Sequence, residues 1–368
     1  MPHIRSLDGI RGIAVLLVVL FHFGLLQPGW IGVQIFFVLS GYLITSILLV
    51  ERRKPLREYL GRFYWRRSLR IFPLYFFFSA LAAVSFWTFG APETFGRDWR
   101  WIATYAANFA RMRETDLGAA FVHLWSLAVE EQFYLIWPLA VYFLSPASFR
   151  WLLVCLLIGC PLARLGFYTM FHDAQPDWLG RSIYGLPTSQ FDAFAAGAAV
   201  AIWPIKNSLK WFAASIAALA VCGAAVIAHQ HLAYHAAQKL SLGYAMFLLE
   251  DGGFVWGYSL INLAAALGIA FALKDSPALL QNKLLVRVGV ISYGIYIYHV
   301  PTLLSLKQLH LSRMLLFLVY LALVYALAEI SYHLLEGPFL NLKDLRRDLK
   351  PPEPSVLILN GSEALERK

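Results

Sequence analysis

The sequence predicts an all-α protein, a polytopic transmembrane helical bundle of about ten spans with both termini in the cytoplasm. Of its 368 residues, 59% are hydrophobic and only 14% are charged. A soluble domain of this size could not bury so much apolar surface, and soluble chains carry roughly 25% charged residues. Several apolar runs also reach the roughly 20 residues that a helix needs to cross a bilayer.

The predicted spans are apolar runs separated by polar or basic segments. They cover about residues 11–27, 31–50, 71–90, 122–144, 150–171, 190–205, 209–229, 254–273, 288–305 and 313–334. A further apolar run at 99–110 is too short to span. This run is predicted to be a re-entrant or interfacial segment.

The distribution of basic residues predicts the orientation of the bundle. Segment 51–70 carries eight Lys and Arg against two Glu, and loops rich in Lys and Arg remain on the cytoplasmic side of a membrane. With alternating spans, Arg5, Arg11 and the C-terminal tail fall on the same side. Residues 1–342 are therefore predicted to form the transmembrane domain, and residues 343–368 a cytoplasmic tail that is basic and then disordered.

Charge, cysteine and histidine patterns argue against three other kinds of protein. The net charge of +9 is concentrated in the basic loop, so it indicates contact with the lipid bilayer and not with nucleic acid. Cys155, Cys160 and Cys222 lie in apolar runs, at spacings that fit neither a disulfide framework nor a zinc site. His231 and His235 have a metal-like spacing but no carboxylate pattern around them, so no metal site is predicted.

The first span carries a titratable residue, His22, eleven positions after Arg11. Eleven residues are almost three helical turns, so the two side chains share one face about 16 Å apart. A titratable group in hydrocarbon is costly, which makes His22 a candidate catalytic residue. The alternative is a histidine that caps the helix or bonds a neighbouring carbonyl.

The fourth span carries two adjacent carboxylates, Glu130 and Glu131, which cannot both face lipid. Glu130 enters from the outer side and His22 lies far from the inner side, so the two side chains are predicted to meet at middle-to-outer depth. A carboxylate that fixes the tautomer of a histidine is what a general base needs. The alternative is a structural ion pair.

Arg67 and Arg70 are i,i+3 neighbours at the inner boundary of the third span, near the depth of Arg11. Paired guanidiniums suit bidentate phosphate binding, although ordinary positive-inside anchoring is the alternative. Other polar residues in or beside the spans are candidates for lining a substrate channel: Asp8, Ser40, Trp125, Ser126 and Tyr134. For Ser40, paired with Gly41, close helix packing is the competing explanation.

Six motifs occur in order along residues 3–340. They are Arg5-Ser-Leu-Asp8-Gly-x-Arg11-Gly with His22, Gly32-Val-x-x-Phe36-Phe37-Val-Leu-Ser40-Gly41-Tyr42, Arg67-x-x-Arg70-Ile-x-Pro73, Trp125-Ser126-Leu-x-x-Glu130-x-Gln132-Phe133-Tyr134, Ser292-Tyr293-x-x-Tyr296-x-x-His299 and Glu336-x-Pro338-Phe339. Together they resemble the acyltransferase-3 family of integral membrane acyltransferases, the type that O-acetylates bacterial polysaccharides.

The resemblance implies a multi-pass protein of the bacterial inner membrane. Such a protein moves an acyl group, most often acetyl, from acyl-coenzyme A to a hydroxyl of a carbohydrate or lipid-linked saccharide. Acyl-coenzyme A is then a co-substrate, and no tightly bound cofactor is expected. Arg11, Arg67 and Arg70 would hold the coenzyme A phosphates, and His22 would be the general base with Glu130 as its orienting partner.

One alternative function and two departures from the family pattern accompany this interpretation. A transporter or exporter of a glycolipid or saccharide would use His22 and Glu130 as a proton relay. Gln34 stands where related sequences often carry an acid, and Gln190 where an Arg is usual. Both departures are expected to bear on the choice of acceptor. The aromatic segment ending at His299 is predicted to form an interfacial belt or interhelical hydrogen bonds.

Overall fold

The computed structural model describes residues 4–89, 99–113, 118–234 and 239–342, and these residues form helices and turns without a strand. The predicted tail, 343–368, lies outside the described residues, and so does His235. Within them, the predicted all-α transmembrane bundle is confirmed.

Residues 99–103 are helical, and fourteen further α-helices of the described chain are numbered here in order. They are α1 (Arg5–Phe23), α2 (Ile31–Glu51), α3 (Leu56–Phe89), α4 (Ala107–Met112), α5 (Leu124–Phe143), α6 (Pro146–Met170), α7 (Pro176–Gly185), α8 (Pro187–Ile202), α9 (Ser208–Tyr234), α10 (Gly253–Asp275), α11 (Lys283–Val290), α12 (Ser292–Lys307), α13 (Arg313–Ser331) and α14 (Gly337–Asn341). Each of the ten predicted spans overlaps one of these helices or, at 288–305, a pair of them.

By length and composition, seven helices of the described chain are suited to crossing a membrane: α1, α2, α3, α6, α9, α10 and α13 with its continuation α14. Helices α11 and α12 meet at a bend of 74° and together would form an eighth. Two predicted spans fall outside this set. Helix α8 has only 16 residues, and α5 carries Glu130, Glu131 and Gln132 in succession. The ten-span count therefore stays a prediction.

The basic segment 51–70 is mostly helical, which differs from the predicted loop. Only residues 52–55 form a turn, and α3 continues without a break from Leu56 past Pro73. On the helix surface Arg62 pairs with Glu58 at 2.9 Å, an i,i+4 contact that supports a helix. Arg67 and Arg70 consequently lie inside a long helix and not in a loop before it.

The centre of the bundle is formed by α1, α2 and α10, which are more than half buried, whereas α6, α9 and α13 expose most of their apolar side chains. Helix α2 packs along α8 at a glycine contact. A Cβ at Gly41 would lie 2.0 Å from the carbonyl oxygen of Phe194, and a Cβ at Gly197 would lie 1.8 Å from that of Val38. Only glycine permits this approach, so the packing explanation holds for Gly41.

A buried ion pair joins α6 to α8. Arg164 and Asp192 are 0% and 1% exposed, and Arg164 Nη2 lies 2.9 Å from Asp192 Oδ2. The same guanidinium donates to the carbonyl oxygen of Ser189 at 2.6 Å and to Ser259 Oγ of α10 at 3.1 Å. These bonds compensate the cost of removing both charges from water, so the pair fixes three helices beside the centre of the bundle.

Candidate functional site

His22 lies in the last turn of α1, where its Nδ1 faces two possible hydrogen-bond partners. The carbonyl oxygen of Val18 is 3.0 Å away, and Nε2 of His299 on α12 is 3.3 Å away. The two imidazole rings meet edge to face with centroids 4.7 Å apart. His22 is half-buried, so a substrate can approach one side of its ring.

The partners of His299 determine the tautomers of both histidines. His299 is fully buried, and its Nδ1 lies 2.6 Å from the carbonyl oxygen of Tyr296, which can only accept. The proton of His299 is therefore on Nδ1, and its Nε2 accepts. His22 Nδ1 must then be the donor to both Val18 and His299. This assignment, made from the hydrogen-bond network, leaves a lone pair on His22 Nε2.

Tyr296 connects these histidines to α5. Its ring centroid lies 5.3 Å from that of His299, and its hydroxyl donates to the carbonyl oxygen of His123 at 3.0 Å. The same hydroxyl is hydrogen-bonded to Ser126 Oγ. Contacts through Tyr296 and His299 therefore link Ser126, a predicted channel residue, to His22.

Glu130 does not meet His22 in the part of the chain that the structure describes, which corrects the predicted contact. Its carboxylate accepts hydrogen bonds from the hydroxyls of Ser40 and Tyr134. The reason is the position along α5. His123, which precedes the helix, packs on His299, and Ser126 is bonded to Tyr296. Glu130 lies one turn further along the helix than Ser126. Glu130 is thus hydrogen-bonded to two other predicted channel residues. It stays a candidate catalytic residue, although it does not contact His22.

The predicted phosphate-binding arginines lie in one neighbourhood. The Arg67 guanidinium stacks 4.2 Å from the ring centroid of Tyr134, and Arg70 is within electrostatic range of both Arg11 and Arg67. Arg11 forms an ion pair with Asp8 at 2.6 Å. Asp8 is therefore partner to an arginine of this group, at the opposite end of α1 from His22.

The polar residues of the site form two groups of contacts that α5 joins. From the end of α1 at His22, the first group runs through His299 and Tyr296 to Ser126. One turn further along α5, the second group joins Glu130 to Ser40 and Tyr134, and Tyr134 to Arg67. The site is therefore a polar path through the bundle, with a base at one end and a cluster of guanidiniums at the other.

Arg111 was not singled out by sequence reasoning. The guanidinium of Arg111 on α4 lies 5.7 Å from the ring centroid of Trp125 and within electrostatic range of His22. Burial lowers the pKa of Arg111 to about 10, which still leaves it charged at neutral pH. Trp125 in turn packs on Tyr184, with ring centroids 4.5 Å apart. Arg111 thus contributes a positive charge near His22, and the buried ring of Trp125 packs beside its guanidinium.

Sequence reasoning also underrated His299. It predicted an aromatic belt or interhelical bonds for this segment, and the interhelical bond to His22 is present. The signal that could have found it is the one that singled out His22, a titratable residue within a membrane-length apolar run.

The two departures from the family pattern contact each other. Gln34 Nε2 donates to Gln190 Oε1 at 2.7 Å, and both side chains are 0% exposed. Gln190 Nε2 also donates to the carbonyl oxygen of Tyr184 at 2.9 Å. They therefore form one neutral pair between α2 and α8, and their influence on acceptor choice remains a prediction.

No group of three His, Cys, Asp or Glu side chains within residues 4–89, 99–113, 118–234 and 239–342 is placed to hold a metal ion. His229 precedes His231 and His235, the two histidines with metal-like spacing in the sequence. Its Nδ1 lies 2.6 Å from Asp251 Oδ1.

Comparison with known proteins identifies related chains. The family model described as an acyltransferase domain matches residues 4–333. A peptidoglycan O-acetyltransferase OatA of Listeria monocytogenes is 30% identical, over 91% of this chain and 56% of its own length. O-acetyltransferase OatA of Staphylococcus aureus is 28% identical, over 91% and 57%. A putative peptidoglycan O-acetyltransferase YrhL of Bacillus subtilis is 30% identical, over 91% and 55%.

This chain therefore spans a little over half the length of the curated relatives that it matches. No solved structure matches it.

Proposed function

This chain belongs to the acyltransferase-3 family, and we propose that it is a membrane-embedded O-acyltransferase of the bacterial inner membrane that acetylates a hydroxyl of a cell-wall saccharide. The observation that carries the proposal is the polar path, which has the lone pair of His22 Nε2 at one end and three arginines at the other. Because two relatives are named for O-acetylation of peptidoglycan, peptidoglycan or a lipid-linked saccharide precursor is the proposed acceptor.

The proposed donor is acetyl-coenzyme A, bound as a co-substrate by Arg11, Arg67 and Arg70. Guanidiniums bind phosphate through charge-assisted hydrogen bonds, and the phosphates of coenzyme A lie at the end of the molecule remote from the thioester. Arg11 and His22 are about 16 Å apart on one face of α1. An extended pantetheine arm would follow the polar path and deliver the thioester to the histidine.

The proposed reaction is a direct transfer. His22 Nε2 takes the proton of the acceptor hydroxyl while the oxygen attacks the thioester carbonyl carbon. The tetrahedral intermediate then reforms the carbonyl, the carbon–sulfur bond breaks, and the departing thiolate receives the proton from His22. The products are an O-acetyl ester and free coenzyme A, and His22 returns to its neutral form.

Arg111 is proposed to stabilise the oxyanion of this intermediate. It brings a positive charge to the neighbourhood of His22, and a fixed charge beside a developing oxyanion is an effective form of transition-state stabilisation. Trp125 is buried against Tyr184, and its ring lies beside the Arg111 guanidinium and helps to hold that charge in place.

The test uses purified protein in proteoliposomes, with radiolabelled acetyl-coenzyme A on one side and soluble peptidoglycan fragments on the other. Labelled ester and free thiol are expected in equal amounts. His22→Ala should lower this rate about 10²–10⁴-fold with normal insertion, whereas His172→Ala, at an exposed histidine, should not. An active His22→Ala protein would contradict the mechanism. Saccharide flux without thioester consumption would support a transporter instead.

A further inference from the structure

We propose that His299 is the positioning residue of His22, so that the catalytic base works as a pair of histidines and not as a histidine and a carboxylate. This inference rests on the proposed function, because it assigns a role relative to the base of that reaction. It is carried by the 3.3 Å contact between His22 Nδ1 and His299 Nε2 and by the separate hydrogen bonds of Glu130.

The acceptor atom of His299 is held in place from several directions. Its Nδ1 is bonded to the carbonyl oxygen of Tyr296 at 2.6 Å, one turn earlier on α12. Its ring packs edge to face on His123, with centroids 5.0 Å apart, and against Tyr296 at 5.3 Å. Because His299 is 0% exposed, water does not replace these contacts, and Nε2 remains directed at His22.

This arrangement performs both tasks that a carboxylate performs for other histidine bases. First, two acceptors, the carbonyl of Val18 and Nε2 of His299, keep the proton of neutral His22 on Nδ1, which leaves Nε2 ready to take a proton. Second, when His22 becomes an imidazolium, its hydrogen bond to His299 becomes charge-assisted and therefore stronger. His299 thus stabilises the transition state without touching the substrate.

The Val18 carbonyl alone does not replace His299. It belongs to the same helix as His22, four residues earlier, and accepts only from the side of its own helix. His299 belongs to α12 and fixes the ring relative to the rest of the site. Removing its acceptor should therefore affect turnover more than substrate binding.

The experiment compares His299→Leu with His299→Gln in the proteoliposome assay. Because a hydrogen bond to a charged group is lost, His299→Leu should lower kcat about 10- to 100-fold with the KM of both substrates unchanged. His299→Gln keeps an acceptor and should restore most of kcat. Tyr298→Phe, a change at the preceding position of α12, is the control and should retain the wild-type rate.

A second measurement is independent of turnover. In protein with ¹⁵N-labelled histidine, the resonances of His299 are expected to show a protonated Nδ1 and an unprotonated Nε2, and those of His22 a protonated Nδ1. A protonated Nε2 on His299 would overturn the proposal, and so would a His299→Leu protein with wild-type kcat.

The outcomes separate this inference from the function on which it rests. If His22→Ala is inactive and His299→Leu is fully active, the acyltransferase mechanism stands and the positioning role is wrong. If His22→Ala itself is active, the base has been misassigned and both fail. If Gln and Leu at position 299 lower kcat equally, His299 acts through packing alone, which also contradicts the proposal.

Discussion

At the scale of single residues, the chemistry of this site depends on which polar atoms face each other. His22 is useful as a base because both partners of its Nδ1 are acceptors, which fixes the tautomer. Glu130 is held differently, between two hydroxyls. A half-buried carboxylate that accepts two hydrogen bonds is stabilised where it lies, so Glu130 is suited to shaping the path between the arginines and the histidines.

This separation predicts how two variants combine. Because Glu130 and His299 do not contact each other, the losses in kcat/KM of Glu130→Gln and His299→Leu should add in the double variant to within about 0.5 kcal/mol. The measurement is a double-mutant cycle in the reconstituted assay. A double variant no worse than either single variant would instead show that both residues act on His22 as one unit.

The arginine cluster gives a second prediction at this scale. Arg67→Ala and Arg70→Ala should each raise the KM for acetyl-coenzyme A about 10- to 100-fold, because each removes a charge-assisted contact of about 1.5–3 kcal/mol. The control is Arg57→Ala, an exposed residue of the same helix. An unchanged KM in the double variant Arg67→Ala/Arg70→Ala would contradict the phosphate role.

At the scale of helices, two kinds of contact hold α2 against α8 beside the site: a close approach at glycines and a hydrogen bond between two glutamines. Gly41 and Gly197 bring α2 and α8 into backbone contact. That contact fixes the helix from which Ser40 reaches Glu130. The adjacent Gln34–Gln190 hydrogen bond joins the same two helices. The serine and the glycine at 40 and 41 thus serve different purposes, one polar and one steric.

The buried pair of Gln34 and Gln190 predicts that substitutions at the two positions affect stability together. Gln34→Glu or Gln190→Arg alone should destabilise the fold by about 3–5 kcal/mol, because each places one uncompensated charge in the interior. The double variant should recover most of this loss, since the new charges face each other. Thermal unfolding in detergent measures the effect. Equal destabilisation of the single and double variants would show that the two side chains do not interact.

At the scale of the whole molecule, the number of spans decides which face meets each substrate. Seven crossings would place the termini on opposite sides, whereas eight or ten place them on the same side. The density of Lys and Arg in residues 51–70 favours a cytoplasmic position for the arginine end of the site. The acceptor would then reach His22 from the other side of the membrane.

We therefore predict that reporters fused before Arg5 and after Lys350 are both active only in the cytoplasm. A cysteine introduced at Ser145, in the turn between α5 and α6, should react only with reagents that cross the membrane, because ten alternating spans place that turn inside. Reaction of this cysteine with an impermeant reagent would show that α5 does not span. A C-terminal reporter active outside, together with an N-terminal reporter active inside, would exclude any even number of spans.

The sequence by itself determined the all-α membrane fold and singled out His22, Glu130 and the arginines as candidate site residues, because hydrophobic length and the cost of buried charge are local properties. The length of each apolar run predicts a span, and a charged or titratable residue such as His22, Arg67 or Arg70 can be recognised within or beside a run without knowing how the helices pack. Only the tertiary structure decided the partners: His299 for His22, Ser40 and Tyr134 for Glu130, and Gln190 for Gln34. These pairs join distant segments, and helical periodicity gives the face of a residue but not the helix opposite it. One turn of α5, the distance from Ser126 to Glu130, was enough to direct the carboxylate away from the histidine.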